Sequence, residues 1–531
     1  MSTKFKFLLI AIFASCSLLY AEPTNYTYNY DFWKEQVASP DAYRVSAYLL
    51  GANLRDEAGR FIGHFNQPEG LFIRDEHIYV CDTNNNRIVK IDALENGDHI
   101  VTAVFSAIKS EDEAKVRKDL HLEDGARLDA AKMHLNGPTD IFENSSDRWL
   151  YIADKKNNRV LIMDYDWNYI HAIYKPEDDS LRNFTDNDDE LQDFVEFIPN
   201  KLIVDYANRV FVKADTINKG LMEFNRIRAH SDRSDPDARE WNWEFAGFMG
   251  ANKVKVNMLD YIWKLLSTQA QRARMELFVP TEYSNLALDK DGFVYVTNST
   301  VQTDPVRRLN AMGQDILIRN GYENPIGDLS VGNTQQIRGP SQFIDVVAFH
   351  NDSYACFDKT RGRIFMYDFQ GNLLYAFGGR GNREGYFSNE PAALDRMGSA
   401  LYALDKLTGA VTRFDLTEYG ILINKALDEY KAGRYEQSAE VWEEVLKRNG
   451  NYDLAYIGIG RAALRQGDYQ KAMRYYKLKH YREGYGKAFQ LYRKIWMEEN
   501  LWWILIIIGA LVLLPPCIRL SIKTVKEIRE A

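Results

Sequence analysis

The sequence predicts an all-β ring of six small antiparallel sheets, followed by an α-helical segment and one transmembrane helix. Three observations carry that prediction. A strand–turn–strand unit recurs six times along 531 residues. The apolar period changes from two to 3.6 after Leu416. An uncharged apolar run, 501–518, lies close to the end of the chain.

The unit is clearest at 67–92, QPEGLFIRDEHIYVCDTNNNRIVKID. Leu71 and Ile73, Ile78 and Val80, then Ile88 and Ile91 give the alternation of half-buried strands. Asp75-Glu76 marks one turn and Asp82 through Asn86 the next. So short a unit cannot bury its own face, so it needs neighbours. Copies run at 137–164, 339–368 and 390–415, with looser ones at 198–225 and 283–310. Asp-x4-Arg repeats as Asp82/Arg87, Asp154/Arg159 and Asp358/Arg363, while Asp405 stands with Ala410. A pair present in several sheets cannot mark one site. It predicts turn capping and pairing between sheets.

These motifs resemble the NHL repeat. The likeness rests on Pro68-Glu69-Gly70, Val80-Cys81-Asp82, Asn85-Asn86-Arg87-Ile88 and Tyr151 to Val160. It spans 43–417 and implies a six-bladed β-propeller, in which closure leaves only short, protected edges. The sixth unit ends one strand short at Asp415. The alternating stretch Tyr43–Leu50 is expected to supply the missing strand and join the two ends of the ring.

Before the ring, Lys4 and Lys6 precede the apolar stretch 7–19, with Ala21 as the cleavage point, so 1–21 reads as a secretory signal. A Tyr-rich leader follows at 22–42. Three insertions are expected within the ring. The first, 103–133, is charged and helical, and the second, 177–196, is acidic. The third, 226–277, carries Met258, Ile262, Leu265, Leu266 and Ala270 at helical spacing. Asp186, Asp188 and Glu190 lack the Gly and distal Glu of a calcium hand and read as a solvated loop. Cys81 and Cys356 sit on equivalent strands of non-adjacent sheets, too far apart for a disulfide. Asn25, Asn144, Asn183, Asn298 and Asn351 stand in glycosylation sequons.

Beyond the ring, two units repeat at an offset of 34: Gly433-Arg434-Tyr435 and Gly467-Asp468-Tyr469, with Trp442 matching Tyr476. This resembles the tetratricopeptide repeat and assigns helical repeats to 418–500, with a further helix near 485–497. The run 501–518 is the transmembrane helix, with Trp502 and Trp503 at one interface. Arg519, Lys523, Lys526 and Arg529 make 519–531 a basic cytoplasmic tail and place the ring outside the cell membrane. Ten Lys and Arg between 461 and 494 form a basic collar facing anionic lipid or a wall polymer.

A net charge of -9 excludes an ordinary nucleic-acid binder. Six-bladed lactonases of the gluconolactonase type look similar, and that resemblance implies a divalent metal at the axis held by Glu, Asn and Asp. Calcium would suit such oxygen ligands. Counting one residue past each strand-opening position gives Glu69, Thr139, Asn200, Asn285, Ser341 and Ala392. The next ring is Gly70, Asp140, Lys201, Leu286, Gln342 and Ala393. The candidate axial ligand site is therefore Glu69, Asn200 and Asn285, with Asp140 beside them. The far blades offer no clear Asp, and no general base stands apart from the set. No resident cofactor is assigned. The expected function is a membrane-anchored, extracytoplasmic binding or scaffold protein, meeting a protein partner through the ring face or the helical repeats. A metal-dependent hydrolase is the alternative.

Overall fold

The computed structural model describes residues 27–33, 35–94, 97–123, 126–178, 181, 195–228, 241–250, 282–301, 303–321, 324–328 and 340–530. The signal at 1–21, Asn25, Asn183, the acidic loop Asp186 to Glu190 and the helix expected around 258–270 lie outside them. The chain divides into two compact units, Met1–Asn29 with Ala38–Gly420, and Tyr30–Val37 with Ile421–Ala531.

The first unit holds six antiparallel sheets. Blade one runs Gly70–Arg74, His77–Asp82, Arg87–Ala93 and His99–Phe105. Blade two runs Pro138–Asn144, Trp149–Asp154, Arg159–Asp164 and Tyr169–Ile173. Blade three is Pro199–Val204, Val210–Ala214, Leu221–Arg228 and Trp241–Met249. Blade four has three strands among the described residues, Leu286–Leu288, Val294–Thr297 and Val306–Leu309. Blade five is Phe343–Ala348, Tyr354–Asp358, Arg363–Tyr367 and Leu373–Gly378, extended by Thr27–Tyr30. Blade six is Pro391–Met397, Ala400–Asp405 and Ala410–Leu416.

The fourth strand of blade six is Tyr43–Leu50. It pairs antiparallel with Ala410–Leu416, from Leu50 opposite Ala410 to Tyr43 opposite Leu416. The first strand of each blade touches the first strand of the next, and the contact from blade six back to blade one closes the ring. The two ends of the unit thus share one sheet, as the count of strands in the sixth repeat requires. This is a six-bladed β-propeller.

Two strands lie where insertions were expected from sequence. His99–Phe105 is the outer strand of blade one and enters the stretch 103–133. Trp241–Met249, within 226–277, is the outer strand of blade three. Both alternate weakly because an outermost strand buries little, so the period-two signal fades there. Among its described residues the rest of 103–133 contains one short α-helix, α1 (Glu113–Asp119), which packs on the outer strand of blade two, and two single 3₁₀ turns, Ser110–Asp112 and Ala130–Met133. Its Asp119 accepts the Tyr169 hydroxyl at 2.6 Å.

Faces between blades are filled by alternating apolar side chains. Phe72 meets Phe142 at 5.0 Å between blades one and two. The Glu143 carboxylate accepts the hydroxyls of Tyr79 and Tyr165, each at 2.7 Å. Cys81 and Cys356 are buried free thiols.

The repeated aspartates hold turns. Asp82 accepts Nε of Arg87 at 2.6 Å, Nδ2 of Asn85 and the backbone N–H of Asn66. Asp154 makes the same set with Arg159, Asn157 and Asn136. Both aspartates bind within their own blade and its lead-in loop, not across blades. The blade-to-blade bonds come from neighbours instead, for example Thr83 Oγ1 to Pro138 O at 2.8 Å. Arg363 departs from the pattern and pairs with Asp328 rather than Asp358.

A second hairpin device recurs. Asp164, Asp205, Asp289 and Asp368 each accept the N–H groups two and four residues on through Oδ1. These are Asx turns, in which a carboxylate replaces the missing ladder partner.

In the second unit, α2 (Glu418–Lys431), α3 (Tyr435–Arg448), α4 (Asp453–Gln466), α5 (Tyr469–Leu478) and α6 (Arg482–Glu499) follow in chain order, and the packing from α3 to α6 is between successive helices. Small residues set their spacing. A Cβ on Gly458 would sit 2.5 Å from the Trp442 ring, and one on Gly460 would sit 2.6 Å from Tyr476. Ser438 Oγ donates to Ala426 O at 2.8 Å and ties α3 to α2.

The last helix, α7 (Leu501–Glu530), has 30 residues and would span about 45 Å. Its best window has mean hydropathy 2.5, and none of that window is buried. It is long and apolar enough to cross a membrane. The helix runs through Pro515-Pro516, so it extends past the apolar run into the basic segment.

Candidate axial site

The six inner strands surround a funnel of about 400 Å³. It opens at the ends of the inner strands, where Arg74, Asp75, Tyr206, Asp289, Lys290 and Gly398 form the wall.

Strand pairing fixes which residue of each blade occupies the equivalent place. Gly70 lies opposite Cys81, Asp140 opposite Ala153, Lys201 opposite Lys213, Asp345 opposite Phe357 and Ala393 opposite Leu404. Asn285 accepts the N–H of Thr297 at 3.1 Å and completes the ring. The equivalent set is therefore Gly70, Asp140, Lys201, Asn285, Asp345 and Ala393. Of the four candidates from sequence, Asp140 and Asn285 share this level and both line the funnel. Glu69 and Asn200 each precede it by one residue and do not line the funnel.

The far side of the ring does carry an Asp, against the expectation from counting. Ser341 and Gln342 are not strand residues: Gln342 N–H donates to Asp358 at 2.7 Å. The strand starts at Phe343 and brings Asp345 to the axial level. The residue that donates its N–H to the turn aspartate precedes the axial level by four in blade two (Asn136), three in blade five (Gln342) and five in blade six (Ser388). A fixed count from the strand opening cannot follow such a change in loop length.

Each axial carboxylate grips the next blade. Asp140 Oδ2 accepts Leu202 N–H at 2.9 Å. Asp345 accepts Leu394 N–H at 2.7 Å and Val346 N–H at 2.7 Å. Asp395, two residues beyond the axial level, accepts Ile73 N–H at 2.6 Å and Arg396 N–H at 2.8 Å. These bonds run from blade two to three, five to six and six to one. Lys201 Nζ donates to Glu69 O at 2.9 Å. The Glu69 carboxylate pairs with Lys406 at 2.5 Å, joining blades one and six. Asn200 Nδ2 donates to Asp215 at 2.7 Å, and Asp215 also pairs with Lys155 at 2.7 Å and with Lys213.

Burial governs the charges. It pushes Asp140 up to about 6, against the opposing pull of Lys201. It pushes Asp345 and Asp395 up to about 7. Asp215, held by its lysines, falls to about 2. Among the described residues no three His, Cys, Asp or Glu side chains gather into a group that would hold a metal ion. Asp140, Asp345 and Asp395 face their own neighbours around the rim instead of converging on a point.

The raised groups carry a pH prediction. A carboxyl whose folded pKa is raised contributes stability that is present below its unfolded value near 4 and lost as pH rises through 7. Wild-type stability should therefore fall between pH 5 and pH 8. Asp345→Asn should make that slope shallower, with an overall offset because one of the two N–H groups it accepts loses its acceptor. Thermal midpoints across the range measure it; an equal or steeper slope in the variant contradicts the assignment.

Fold and site together define a six-bladed propeller joined to helical repeats and one apolar terminal helix. In sequence, residues 65–91 match the NHL repeat and residues 423–480 match the tetratricopeptide repeat. No curated protein matches the chain. Among solved structures it is similar to virginiamycin B lyase from Staphylococcus aureus, at 9% identity and a TM-score of 0.34, over 71% of this chain and 100% of that one. It is also similar to Kuenenia stuttgartiensis hydrazine synthase, at 9% identity and a TM-score of 0.32, over 70% of this chain and 99% of that one. Likeness at this level says nothing of activity.

Proposed function

We propose that the chain is a membrane-anchored scaffold whose propeller and helical repeats act as binding modules outside the cytoplasm. One observation supports this most. The four axial candidates, and Asp345 and Asp395 beside them, are all bonded within the propeller. A hydrolase needs a general base or a metal ligand set poised toward substrate. Here Asp140, Asp345 and Asp395 accept backbone N–H groups of adjoining strands, a duty that stabilises the ring. The apolar helix α7, followed by Arg519, Lys523, Lys526 and Arg529, supports a single pass with its tail in the cytoplasm. Tetratricopeptide helices and propellers commonly hold protein partners, and the basic collar at 461–494 suits an anionic lipid or wall polymer.

Topology can be tested on intact cells carrying epitopes in the propeller and after Glu530. External protease should remove the first epitope and spare the second. Protection of both, or loss of the second alone, overturns the assignment. A chain lacking 418–500 but keeping α7 then tests the repeats: loss of the crosslinked partners of wild type is expected, and their full retention removes the repeats from the binding role.

A further inference from the structure

The funnel wall contains two arginines with different surroundings from every other charged group there. Arg74 ends the inner strand of blade one, and Arg396 lies near the end of the inner strand of blade six. Both line the funnel. The Arg74 guanidinium lies over the rings of Phe72 and Phe142, at 5.8 and 5.7 Å. Among the described residues none of its side-chain N–H groups has an acceptor and no carboxylate lies within ion-pair distance. Arg396 is fixed by Nε to Ala348 O at 2.7 Å and Nη1 to Gly398 O at 3.0 Å, with Phe349 beneath it at 5.2 Å. That leaves Nη2 without a protein acceptor. Burial, with Arg74 adding to it, pulls Arg396 below the ordinary arginine range against the opposing pull of Asp395.

The acids of the funnel do not answer these donors. Asp345 and Asp395 have both oxygens on backbone N–H groups, and Asp140 has one on Leu202. Asp289 caps its own turn and pairs with Arg308. Lys290 donates to His350 O. Asp75 is exposed at the rim. The funnel therefore holds spare planar donors and few spare acceptors, between walls supplied by Phe72, Phe142, Leu286, Leu288 and Met397.

We infer that the funnel binds a small organic monocarboxylate, its oxygens on Arg74 and Arg396 and its apolar body against the phenylalanine walls. A guanidinium fork matches a carboxylate in a bidentate way, and a desolvated pocket strengthens that pairing. A cavity of this volume is at the small end of the range for ligand pockets and accommodates a ligand of about fifteen heavy atoms or fewer. Dianions are disfavoured because the buried acids around the floor already carry negative charge above pH 7. The inference deepens the binding reading of the propeller. Its failure leaves the membrane topology and the partner capture by the helical repeats untouched.

Calorimetry on the full chain in detergent, at pH 8 and low salt, tests it with acetate, hexanoate, benzoate and glucuronate. Benzamide and inorganic phosphate are the controls. At least one carboxylate should bind with Kd below about 1 mM, at least tenfold tighter than either control. Arg74→Gln should lose tenfold or more while the thermal midpoint falls only slightly, because Arg74 gives up two long ring contacts and no hydrogen bond or ion pair. Arg74→Lys should recover part of the loss. Absence of heat from all four carboxylates, equal binding of phosphate, or full binding by Arg74→Gln overturns the inference.

Discussion

Removal of residues 43–50 from the full chain is expected to abolish cooperative unfolding of the propeller. Among the described residues Tyr43–Leu50 is the only strand that ties the start of the unit to blade six. Its loss strips the ladder from Ala410–Leu416 and empties the places of Tyr43 and Leu49. Tyr43 is fully buried and stacks on Phe377 at 5.1 Å. Two such side chains contribute about 1.5–3 kcal/mol each on burial. The lost ladder bonds add about 0.5–1.5 kcal/mol apiece. Together these rival the net stability of a whole domain, about 5–15 kcal/mol. The bared strand is also a template for edge-to-edge association. Urea denaturation followed by circular dichroism should give a broad, non-cooperative curve, with oligomers by light scattering. A sharp transition near the wild-type midpoint would show that the ring does not depend on this closure.

The second large effect is expected at Asp154. Asp154 and Arg159 are both fully buried, and the pair lies 2.8 Å apart. Replacing Asp154 with Ala leaves a charged guanidinium without its counter-ion in the core, at a cost of about 3–5 kcal/mol. Asn157 and the Asn136 N–H lose their acceptor as well. The matching change in blade one is a control within the same molecule. Arg87 keeps 17% side-chain exposure and bonds Ile62 O and His64 O, so it can hydrate in place. Asp82→Ala should cost only about 1–3 kcal/mol. Denaturant midpoints of the two variants decide the order. Equal losses would mean that burial does not set the strength of this repeated pair.

The repeats made the ring legible because each turn carries its own chemistry. Asp82 and Asp154 bind their Arg partners within five residues, so the motif is local and its spacing is kept. Closure by Tyr43–Leu50 followed from counting strands. The axial site was harder. Asp140 and Asn285 stand at the channel level, but Asp345 lies five residues after Pro340 where Asp140 lies two after Pro138, so a fixed count from the proline falls short of it. Asp395 was invisible for another reason: its partner is Ile73, 322 positions away, and no local pattern marks such a bond. Arg74 and Arg396 belong to no motif that the sequence displays. What distinguishes them is that neither forms an ion pair although Asp395 is close, its oxygens being taken by backbone N–H groups, and that is a property of the assembled ring.

Three of the sequon asparagines are consumed by folding. Asn144, Asn298 and Asn351 are buried, and each accepts both the backbone N–H and the hydroxyl of the Ser or Thr two positions on. The residues an oligosaccharide transferase would recognise are the same ones that close these loops. In a host that attaches glycans during secretion, modification would have to win before the loop shuts, and a sugar on Asn298 would then have no room in the finished molecule. Production in a non-glycosylating host avoids that competition, and Asn298→Asp, which keeps the accepting oxygen, is the substitution suited to yeast or animal cells.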